Sequence, residues 1–219
     1  MIAVIVGGGP AEELPDLTQW PTGRFIGADV GAAILLKQGI SLEAAVGDFD
    51  SISVEDYAAL EKAVQHLERL PAEKDETDME LALNLAVAWN PERIVVTGVT
   101  GGRLDHFISA LHAVFACQLA NPGIEAMIAD RNNRIRFLAP GIHTMTGDPN
   151  YRYVSLYPFQ SEITGLTLKG FKYEVTDERI PFGSTRFTSN ELAGEGEVSI
   201  GTGNCLIIES RDADKKMPG

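Results

Sequence analysis

Six aspartates and two basic neighbours are the side chains of this sequence best suited to chemistry on phosphate groups. Each aspartate follows an apolar run or begins a helix-like segment in the first half of the chain: Asp29, Asp48, Asp50, Asp75, Asp78 and Asp105. Carboxylates can hold a divalent cation, and the cation can then hold phosphate oxygens. Lys74 and Arg103 lie beside these aspartates and could neutralise phosphate charge. The pattern therefore predicts a metal and phosphate site.

The segments that must position these side chains alternate between strand-like and helix-like patterns up to about residue 130. Apolar runs predict strands at 2–6, 24–28, 66–70 and 93–98, and helical spacing predicts helices at 29–38, 54–65, 79–89 and 104–119. Strands that alternate with helices imply a mainly parallel sheet covered on both faces. The loops after the strands of such a sheet share one edge, where ligands bind. We therefore expect the six aspartates to meet at that edge.

The pattern changes near residue 130. Beyond it, short strand-like runs are separated by glycine, proline, asparagine and aspartate, at 134–138, 153–157, 163–168 and 205–209. Such runs indicate a small antiparallel sandwich or barrel. The sequence thus predicts an α/β N-terminal domain with a mainly parallel sheet over residues 1–130, and a C-terminal all-β sandwich or barrel domain over residues 131–219.

Each of the acidic residues also has a purely structural explanation. Asp29 could cap the helix that follows it, and the aspartates on either side of Phe49 could simply form a turn. Thr77 and Glu80 have the spacing of a capping box. Asp105 suits the first turn of a helix, where the helix dipole favours negative charge. The metal site is the better hypothesis only because all of the aspartates are predicted to lie on one edge.

A glycine-rich stretch, residues 97–103, follows the predicted strand at 93–98. Such a stretch can bring backbone N–H groups close to phosphate and can place Arg103 at the start of a helix. The alternative is a tight turn between strand and helix in which Arg103 pairs locally with Asp105. Both interpretations are compatible with the sequence.

The composition is that of an ordinary globular protein, with 44% hydrophobic and 22% charged residues. The formal net charge is -13, from 31 acidic and 18 basic residues. This balance argues against nucleic acid as a partner, because nucleic-acid binders depend on lysine and arginine. The apolar runs are too short to span a bilayer, so no membrane partner is expected. Cys117 and Cys205 lack metal or redox spacing, which is typical of buried thiols in a reducing compartment and predicts a cytoplasmic protein.

Four ordered motifs in the first half of the chain resemble those of the thiamine pyrophosphokinases. They are Gly-Ala-Asp-Val-Gly-Ala at 27–32, Gly-Asp-Phe-Asp-Ser at 47–51, Glu-Lys-Asp-Glu-Thr-Asp at 73–78 and Gly-Gly-Arg-Leu-Asp-His at 101–106. Gly-Ser-Thr at 183–185 and Thr-Ser-Asn-Glu at 188–191 also resemble the C-terminal domain of that family. Each motif alone is unspecific, but the ordered set is specific and runs nearly the whole chain.

The resemblance implies a reaction in which ATP and thiamine give AMP and thiamine diphosphate, with Mg2+ as cofactor and ATP as co-substrate. It also implies a homodimer whose sites are shared between subunits. The thiamine hydroxyl would attack the β-phosphorus of ATP, so the protein would need no covalent nucleophile. One carboxylate would accept the hydroxyl proton, and the choice stays open between Asp75 and Asp50.

The resemblance assigns roles to three groups of residues. The catalytic acids would be Asp48, Asp50, Asp75 and Asp78, with the metal held by Asp48, Asp50 and Asp75. The residues at the ATP phosphates would be Asp29, Lys74, Thr77, Arg103 and Asp105. Ser189 and Asn190 of the other subunit would hold thiamine.

Two departures from the family pattern are visible. Val30 stands where the family usually has glycine, and both tryptophans lie in the first half of the chain. An aromatic residue stacked on thiamine would then have to be Phe182 or Phe187.

Two alternative functions remain compatible with the sequence: a non-catalytic thiamine-phosphate or nucleotide sensor on the same scaffold, and another Mg2+-dependent phosphotransferase or phosphohydrolase.

Overall fold

The computed structural model describes residues 1–64, 66–69 and 76–213. Two of the predicted site residues, Lys74 and Asp75, lie outside these ranges. The chain divides into two compact units, Met1–Arg131 and Asn132–Gly219, which we call the N-terminal unit and the C-terminal unit. None of the helices in the described ranges has the length and apolarity needed to cross a membrane.

Strands and helices alternate along the N-terminal unit. The strands are β1 (Ile2–Val6), β2 (Arg24–Ala28), β3 (Ala44–Gly47), β4 (His66–Arg69), β5 (Arg93–Thr97) and β6 (Glu125–Ala129). The helices are α1 (Val30–Lys37), α2 (Val54–Ala63), α3 (Asp78–Ala88) and α4 (Leu104–Ala120). Two short 3-10 helices, Ala11–Glu13 and Leu17–Gln19, lie between β1 and β2.

The six strands of the N-terminal unit pair in the order β4-β3-β2-β1-β5-β6, and these pairs are parallel. The side chains of β1 from Ala3 to Val6 have no exposed surface, as expected for a central strand covered on both faces. The α/β part of the predicted fold is confirmed here, although the apolar pattern does not predict β6. Because the strands are parallel, the loops after β2, β3 and β5 leave the sheet at the same edge.

Local sequence signals fix the ends of the helices. The hydroxyl of Ser53 accepts a hydrogen bond from the N–H of Asp56 (3.0 Å) and so caps the start of α2. A capping box formed by Thr77 and Glu80 begins α3. Beyond the end of α1, Gly39 adopts a φ of +70°, the left-handed conformation that commonly terminates helices. Ser53 and Thr77 thus define the starts of α2 and α3, and Gly39 follows the end of α1.

Helix α1 approaches β1 so closely that only glycine fits at the contact. A Cβ atom on Gly31 would overlap the carbonyl oxygen of Val6. We expect Gly31→Ala to lower the free energy of unfolding by about 3 kcal/mol, because both contacting groups are backbone and cannot move aside without strain. Gly123→Ala is the control, since a Cβ atom there meets no atom within 4 Å. Urea unfolding measures both variants, and equal losses of stability would contradict this packing argument.

The described part of the C-terminal unit contains strands and no helix. The strands are β7 (Asn133–Leu138), β8 (Gly141–Thr146), β9 (Tyr153–Phe171), β10 (Val175–Ile180), β11 (Phe187–Ile200) and β12 (Thr202–Ser210). They pair in the order β7-β12-β9-β11-β8, and β10 also pairs with β9. Buried side chains of β8 to β12 form the apolar core of this unit. The all-β character is as predicted, and closure into a sandwich or barrel stays a prediction.

Strand β9 corrects one prediction from the sequence. The runs at 153–157 and 163–168 are expected to be separate strands, but they belong to one strand of 19 residues. The first half of β9 pairs with β12 and the second half pairs with β10. Gln160, between the two predicted runs, and Gly165, inside the second run, adopt φ values of +69° and +68°. Strand pairing continues past both residues, so these local irregularities do not end the strand.

Candidate functional site

Three of the predicted aspartates meet at the edge of the N-terminal sheet where the parallel strands end. Asp29 follows β2, whereas Asp48 and Asp50 follow β3. One carboxylate oxygen from each of the three side chains lies within 4.8 Å of the others. We call these three side chains the acid cluster. Carboxylate oxygens at such spacing are suitable ligands for a hard divalent cation.

Asp29 does not act as a helix cap, although its position before α1 allows it. Its side chain makes no capping hydrogen bond, and its backbone has an unusual φ of +49° and ψ of -120°. The Oδ1 atom of Asp29 is buried and has no hydrogen-bond partner among the described residues. A buried carboxylate oxygen without a partner is costly, so the capping explanation does not account for this residue.

Asp48 and Asp50 form a turn around Phe49, which is the structural role predicted for them. The same turn brings both carboxylates into the acid cluster. The N–H of Asp50 donates a hydrogen bond to Oδ1 of Asp48 (3.2 Å), and Phe49 adopts a φ of +58°. The ring of Phe49 is buried and lies 5.7 Å from that of Tyr57, measured between ring centroids. This buried ring anchors the turn and holds both carboxylates on the side facing Asp29.

The acid cluster is electrostatically unfavourable without a counter-charge. Burial raises the pKa of the Asp29 carboxyl above its usual range, and the backbone N–H of Val30 offsets this only in part. The negative charges of Asp48, Asp78 and Asp50 raise this pKa further. A divalent cation would remove the repulsion and supply a partner for the buried oxygen of Asp29. The donor set and the orphaned oxygen therefore fit Mg2+.

A pocket of about 520 Å3 shares Asp29 with the acid cluster. Its walls come from the loop after β1, the loop after β5 and the first turns of α1, α3 and α4. Four of the predicted site residues line it: Asp29, Thr77, Asp78 and Arg103. A concave site of this size with a few polar groups is typical for small-molecule ligands.

Two glycine-rich loops form one side of this pocket. The N–H of Gly7 donates to the carbonyl oxygen of Thr97 (2.8 Å), and the N–H of Gly9 donates to that of Gly98 (2.7 Å). The loops after β1 and β5 are thus held together through their backbones. Since glycine has no side chain to cover the backbone, a phosphate could approach the remaining N–H groups closely.

Thr77 and Asp78 sit at the start of α3. The hydroxyl of Thr77 accepts a hydrogen bond from the N–H of Glu80 (3.2 Å), and the Glu80 carboxylate accepts one from the N–H of Thr77 (2.7 Å). The capping box predicted from the sequence is therefore present. Thr77 also lines the pocket, as does Asp78 in the first helical turn. The structural role of Thr77 and a contact with phosphate are compatible.

Arg103 and Asp105 form a bidentate ion pair at the start of α4. The guanidinium donates hydrogen bonds from Nε to Oδ1 (3.0 Å) and from Nη2 to Oδ2 (2.5 Å) of Asp105. This pairing lowers the pKa of the Asp105 carboxyl to about 2. The local pairing proposed as an alternative is thus present. It holds Arg103 at the pocket with its remaining N–H donors facing solvent or ligand.

The two residues predicted to hold thiamine differ in exposure within the C-terminal unit. Asn190 is buried, and its amide accepts a hydrogen bond from the N–H of Tyr173 (3.0 Å) and donates one to the Tyr173 carbonyl oxygen (2.9 Å). Ser189 is exposed. Of the two candidate stacking residues, Phe187 is buried in the core, whereas 66% of Phe182 is exposed. Ser189 and Phe182 are therefore the ones accessible to a ligand in this chain.

Four pocket residues carry polar side chains that the sequence does not assign to the site: Ser51, Thr100, His106 and Ser109. His106 and Ser109 follow Arg103 at intervals of three along α4, so helical spacing could have indicated that they share its face. Thr100 lies within the glycine-rich stretch at 97–103, but nothing in that stretch distinguishes its side chain. Its hydroxyl is buried and has no hydrogen-bond partner among the described residues.

Comparison with protein families decides between the functions left open. A family model described as "Thiamin pyrophosphokinase, catalytic domain" matches residues 19–128. A second, described as "Thiamin pyrophosphokinase, vitamin B1 binding domain", matches residues 142–207. The chain belongs to the thiamin pyrophosphokinase family. The non-catalytic sensor is not favoured for a member of this family.

Relatives of this family member cover nearly its whole length. Thiamine pyrophosphokinase of Bacillus subtilis is 40% identical over 211 residues, which is 95% of this chain and 98% of the relative. The crystal structure of the Bacillus subtilis enzyme has a TM-score of 0.90 and covers 97% of this chain and 100% of its own. That of thiamin pyrophosphokinase from Geobacillus thermodenitrificans is 41% identical, with a TM-score of 0.87 and coverages of 98% and 99%.

Proposed function

We propose that this protein is a thiamine diphosphokinase, which transfers the pyrophosphoryl group of ATP to the hydroxyl group of thiamine and releases AMP. The observation that carries the proposal is the acid cluster beside a glycine-walled pocket, in a chain that matches the catalytic domain of the family. The same chain also matches the vitamin B1 binding domain, which accounts for the acceptor.

We further propose that Mg2+ is the cofactor, with ATP as co-substrate. Asp48 and Asp50 would hold the ion together with Asp29, whose buried oxygen has no other partner among the described residues. Asp75 stays a proposed ligand, as the sequence predicts. The bound ion would neutralise the phosphate oxygens and the charge that develops on them during transfer.

The chain's own contribution would be positioning and charge neutralisation. Arg103, fixed by Asp105, would donate hydrogen bonds to phosphate oxygens, and Lys74 would add a second positive charge. Backbone N–H groups of the glycine loops and of the start of α4 would contact the phosphates. The thiamine hydroxyl would attack the β-phosphorus, and Asp50 or Asp75 would accept its proton.

The proposal also covers the domains of the chain and its assembly into a dimer. Residues 1–130 would form the catalytic domain and residues 131–219 the thiamine-binding domain. The protein would be a cytoplasmic homodimer in which Ser189 of one subunit, supported by its buried neighbour Asn190, completes the site of the other. Sedimentation equilibrium tests the dimer directly, and a monomer at assay concentration would contradict it.

The test of the function is a direct assay of products. Purified protein is incubated with ATP, Mg2+ and thiamine, and AMP and thiamine diphosphate are quantified by chromatography. We expect the two products in equal amounts, and no AMP when thiamine is omitted. Phosphate release without thiamine would instead indicate a hydrolase, and ligand binding without turnover would indicate a sensor. Either result would overturn the proposal.

Arg103→Ala should reduce kcat/KM for ATP by about 10-fold to 100-fold, because it removes a charge-assisted donor to the phosphates. Arg179→Ala is the matched control, since Arg179 lies in the C-terminal unit and pairs with Glu162 on the surface. Steady-state kinetics at saturating thiamine measures both. An Arg103→Ala protein with the kcat/KM of the control would exclude Arg103 from the phosphate site.

A further inference from the structure

Asp29 holds its carboxylate in the acid cluster with a backbone conformation that aspartate rarely adopts. Its φ of +49° and ψ of -120° are strained for a residue that carries a Cβ atom. Such conformations persist only where the surrounding structure enforces them. The contacts around Asp29 therefore identify the residues that fix its position.

Hydrogen bonds hold the backbone of Asp29 on both sides. Its N–H donates to the carbonyl oxygen of Val46 (2.9 Å), near the end of β3. Its own carbonyl oxygen accepts a hydrogen bond from the N–H of Ala32 (3.0 Å), in the first turn of α1. The peptide groups flanking Asp29 are thus tied to β3 and to α1, and neither can turn freely.

Gly47 packs directly against this constrained residue. A Cβ atom on Gly47 would lie 3.1 Å from Cα, 3.2 Å from N and 3.3 Å from Cβ of Asp29. None of these three atoms can rotate away, because they belong to the backbone or are fixed to it. Gly47 also directly precedes Asp48 in the chain. One residue therefore contacts one member of the acid cluster in space and is bonded to another.

We infer that Gly47 is a positioning residue whose missing side chain sets the separation between the carboxylates of Asp29 and Asp48. The inference rests on the proposed function, because that separation matters only if the carboxylates share a cation. A Cβ atom at position 47 would force the backbones of Gly47 and Asp29 a few tenths of an ångström apart, and so change the separation of oxygens that now lie within 4.8 Å of each other. Cation affinity falls when ligands are displaced by changes in the residues that orient them.

Thermal unfolding of the full-length, nucleotide-free protein during titration with MgCl2 at constant ionic strength tests this role. The wild type should show a melting temperature that rises with Mg2+ to a plateau. Gly47→Ala should need about 10-fold more Mg2+ for the half-maximal rise. A merely structural glycine would lower the melting temperature without changing the Mg2+ concentration at half-maximum.

Gly39→Ala is the matched control. Gly47 and Gly39 both have a positive φ, +155° and +70°, but a Cβ atom on Gly39 would meet no atom within 4 Å. This variant should therefore unfold at a lower temperature and keep the half-maximal Mg2+ concentration of the wild type. If Gly47→Ala also keeps the half-maximal Mg2+ concentration of the wild type, Gly47 has no positioning role, but the metal site is still supported. If the wild type shows no response to Mg2+, the metal site itself is wrong and the inference fails with it.

A second pair of variants tests the inference without requiring Gly47→Ala to fold. Asp29→Asn and Asp29→Gly both remove the carboxylate, but only glycine adopts the backbone conformation of Asp29 without strain. We expect Asp29→Gly to have the higher melting temperature of the two. Equal melting temperatures, or a higher one for Asp29→Asn, would show that Asp29 is not forced into place and would overturn the inference.

Discussion

Asp29→Asn should stabilise the metal-free protein and lower the rate of thiamine diphosphate formation by about 100-fold or more. The stabilisation follows from the raised pKa of Asp29. Folding favours the protonated carboxyl, so ionised Asp29 destabilises the folded state at every pH above its folded pKa. Asparagine removes that negative charge, and with it a proposed ligand of the cation.

The pH dependence of this effect has a defined sign. The stability difference between Asp29→Asn and wild type should shrink as pH falls and vanish below the ordinary aspartate pKa of 3.8. There, Asp29 is protonated in both the folded and unfolded states. Thermal unfolding in EDTA between pH 3 and pH 8 measures the difference. A variant less stable than wild type at pH 7 would contradict the conclusion that burial, together with repulsion from the other aspartates, makes the Asp29 charge unfavourable.

Asp16→Asn is a control for which the expected change in stability has the opposite sign. The hydroxyl of Thr18 donates a hydrogen bond to the Asp16 carboxylate and lowers its pKa, and the Thr18 N–H lowers it further. Its ionised form therefore favours the folded state, so the asparagine variant should be slightly less stable at pH 7. Because Asp16 lies outside the pocket lining, thiamine diphosphate formation should be unchanged. Loss of activity in this control would show that the assay responds to general damage.

Glu209→Ala should lower the free energy of unfolding by about 3–5 kcal/mol, since it removes one partner of a buried ion-pair network. The Glu209 side chain is 4% exposed and accepts from Nη2 of Arg134 at 2.8 Å. Its second oxygen lies 3.4 Å from Nη2 of Arg136. Without Glu209, the partly buried guanidinium groups of Arg134 and Arg136 would lose their shared counter-charge, although Arg134 would keep Asp148 at 3.1 Å. Urea denaturation followed by circular dichroism measures the loss.

Glu162→Ala is the matched control within the same unit. Glu162 pairs with Arg179 at 2.7 Å, but the two side chains are 41% and 73% exposed. Solvent screens such a pair, so its removal should change the free energy of unfolding by less than about 1 kcal/mol. Similar losses for both variants would mean that burial does not determine the strength of these ion pairs.

The fold of the N-terminal unit is predictable because its signals are local and agree with one another. The apolar run at 2–6 and the capping box of Thr77 and Glu80 each predict what the structure contains. The C-terminal unit is less predictable. Pro158 and Ser161 interrupt the strand-like pattern between the two predicted runs, and only the pairing of β9 with strands distant in sequence shows that the strand continues.

The candidate site also has some features that the sequence predicts and others that it does not. The turn at Asp48 and Asp50 follows from its residue types, and so does the pairing of Arg103 with Asp105. The conformation of Asp29 cannot be inferred locally, because aspartate before a helix ordinarily caps it. Tertiary contacts override that preference here. They come from Gly47 and from the hydrogen bond of the Asp29 N–H to Val46 in β3, neither of which the sequence near Asp29 reveals.

The length of β9 has a consequence for how the protein is made. Its first half needs β12, which ends at Ser210 and is translated last among the described strands. A ribosome synthesises the N-terminal unit, and then β9, well before this partner exists. Domains commonly fold in order of their synthesis, and pairing between distant segments is slow. The nascent chain would therefore carry a folded N-terminal unit while the edge of β9 stays unpaired, and an unpaired edge can pair with another chain.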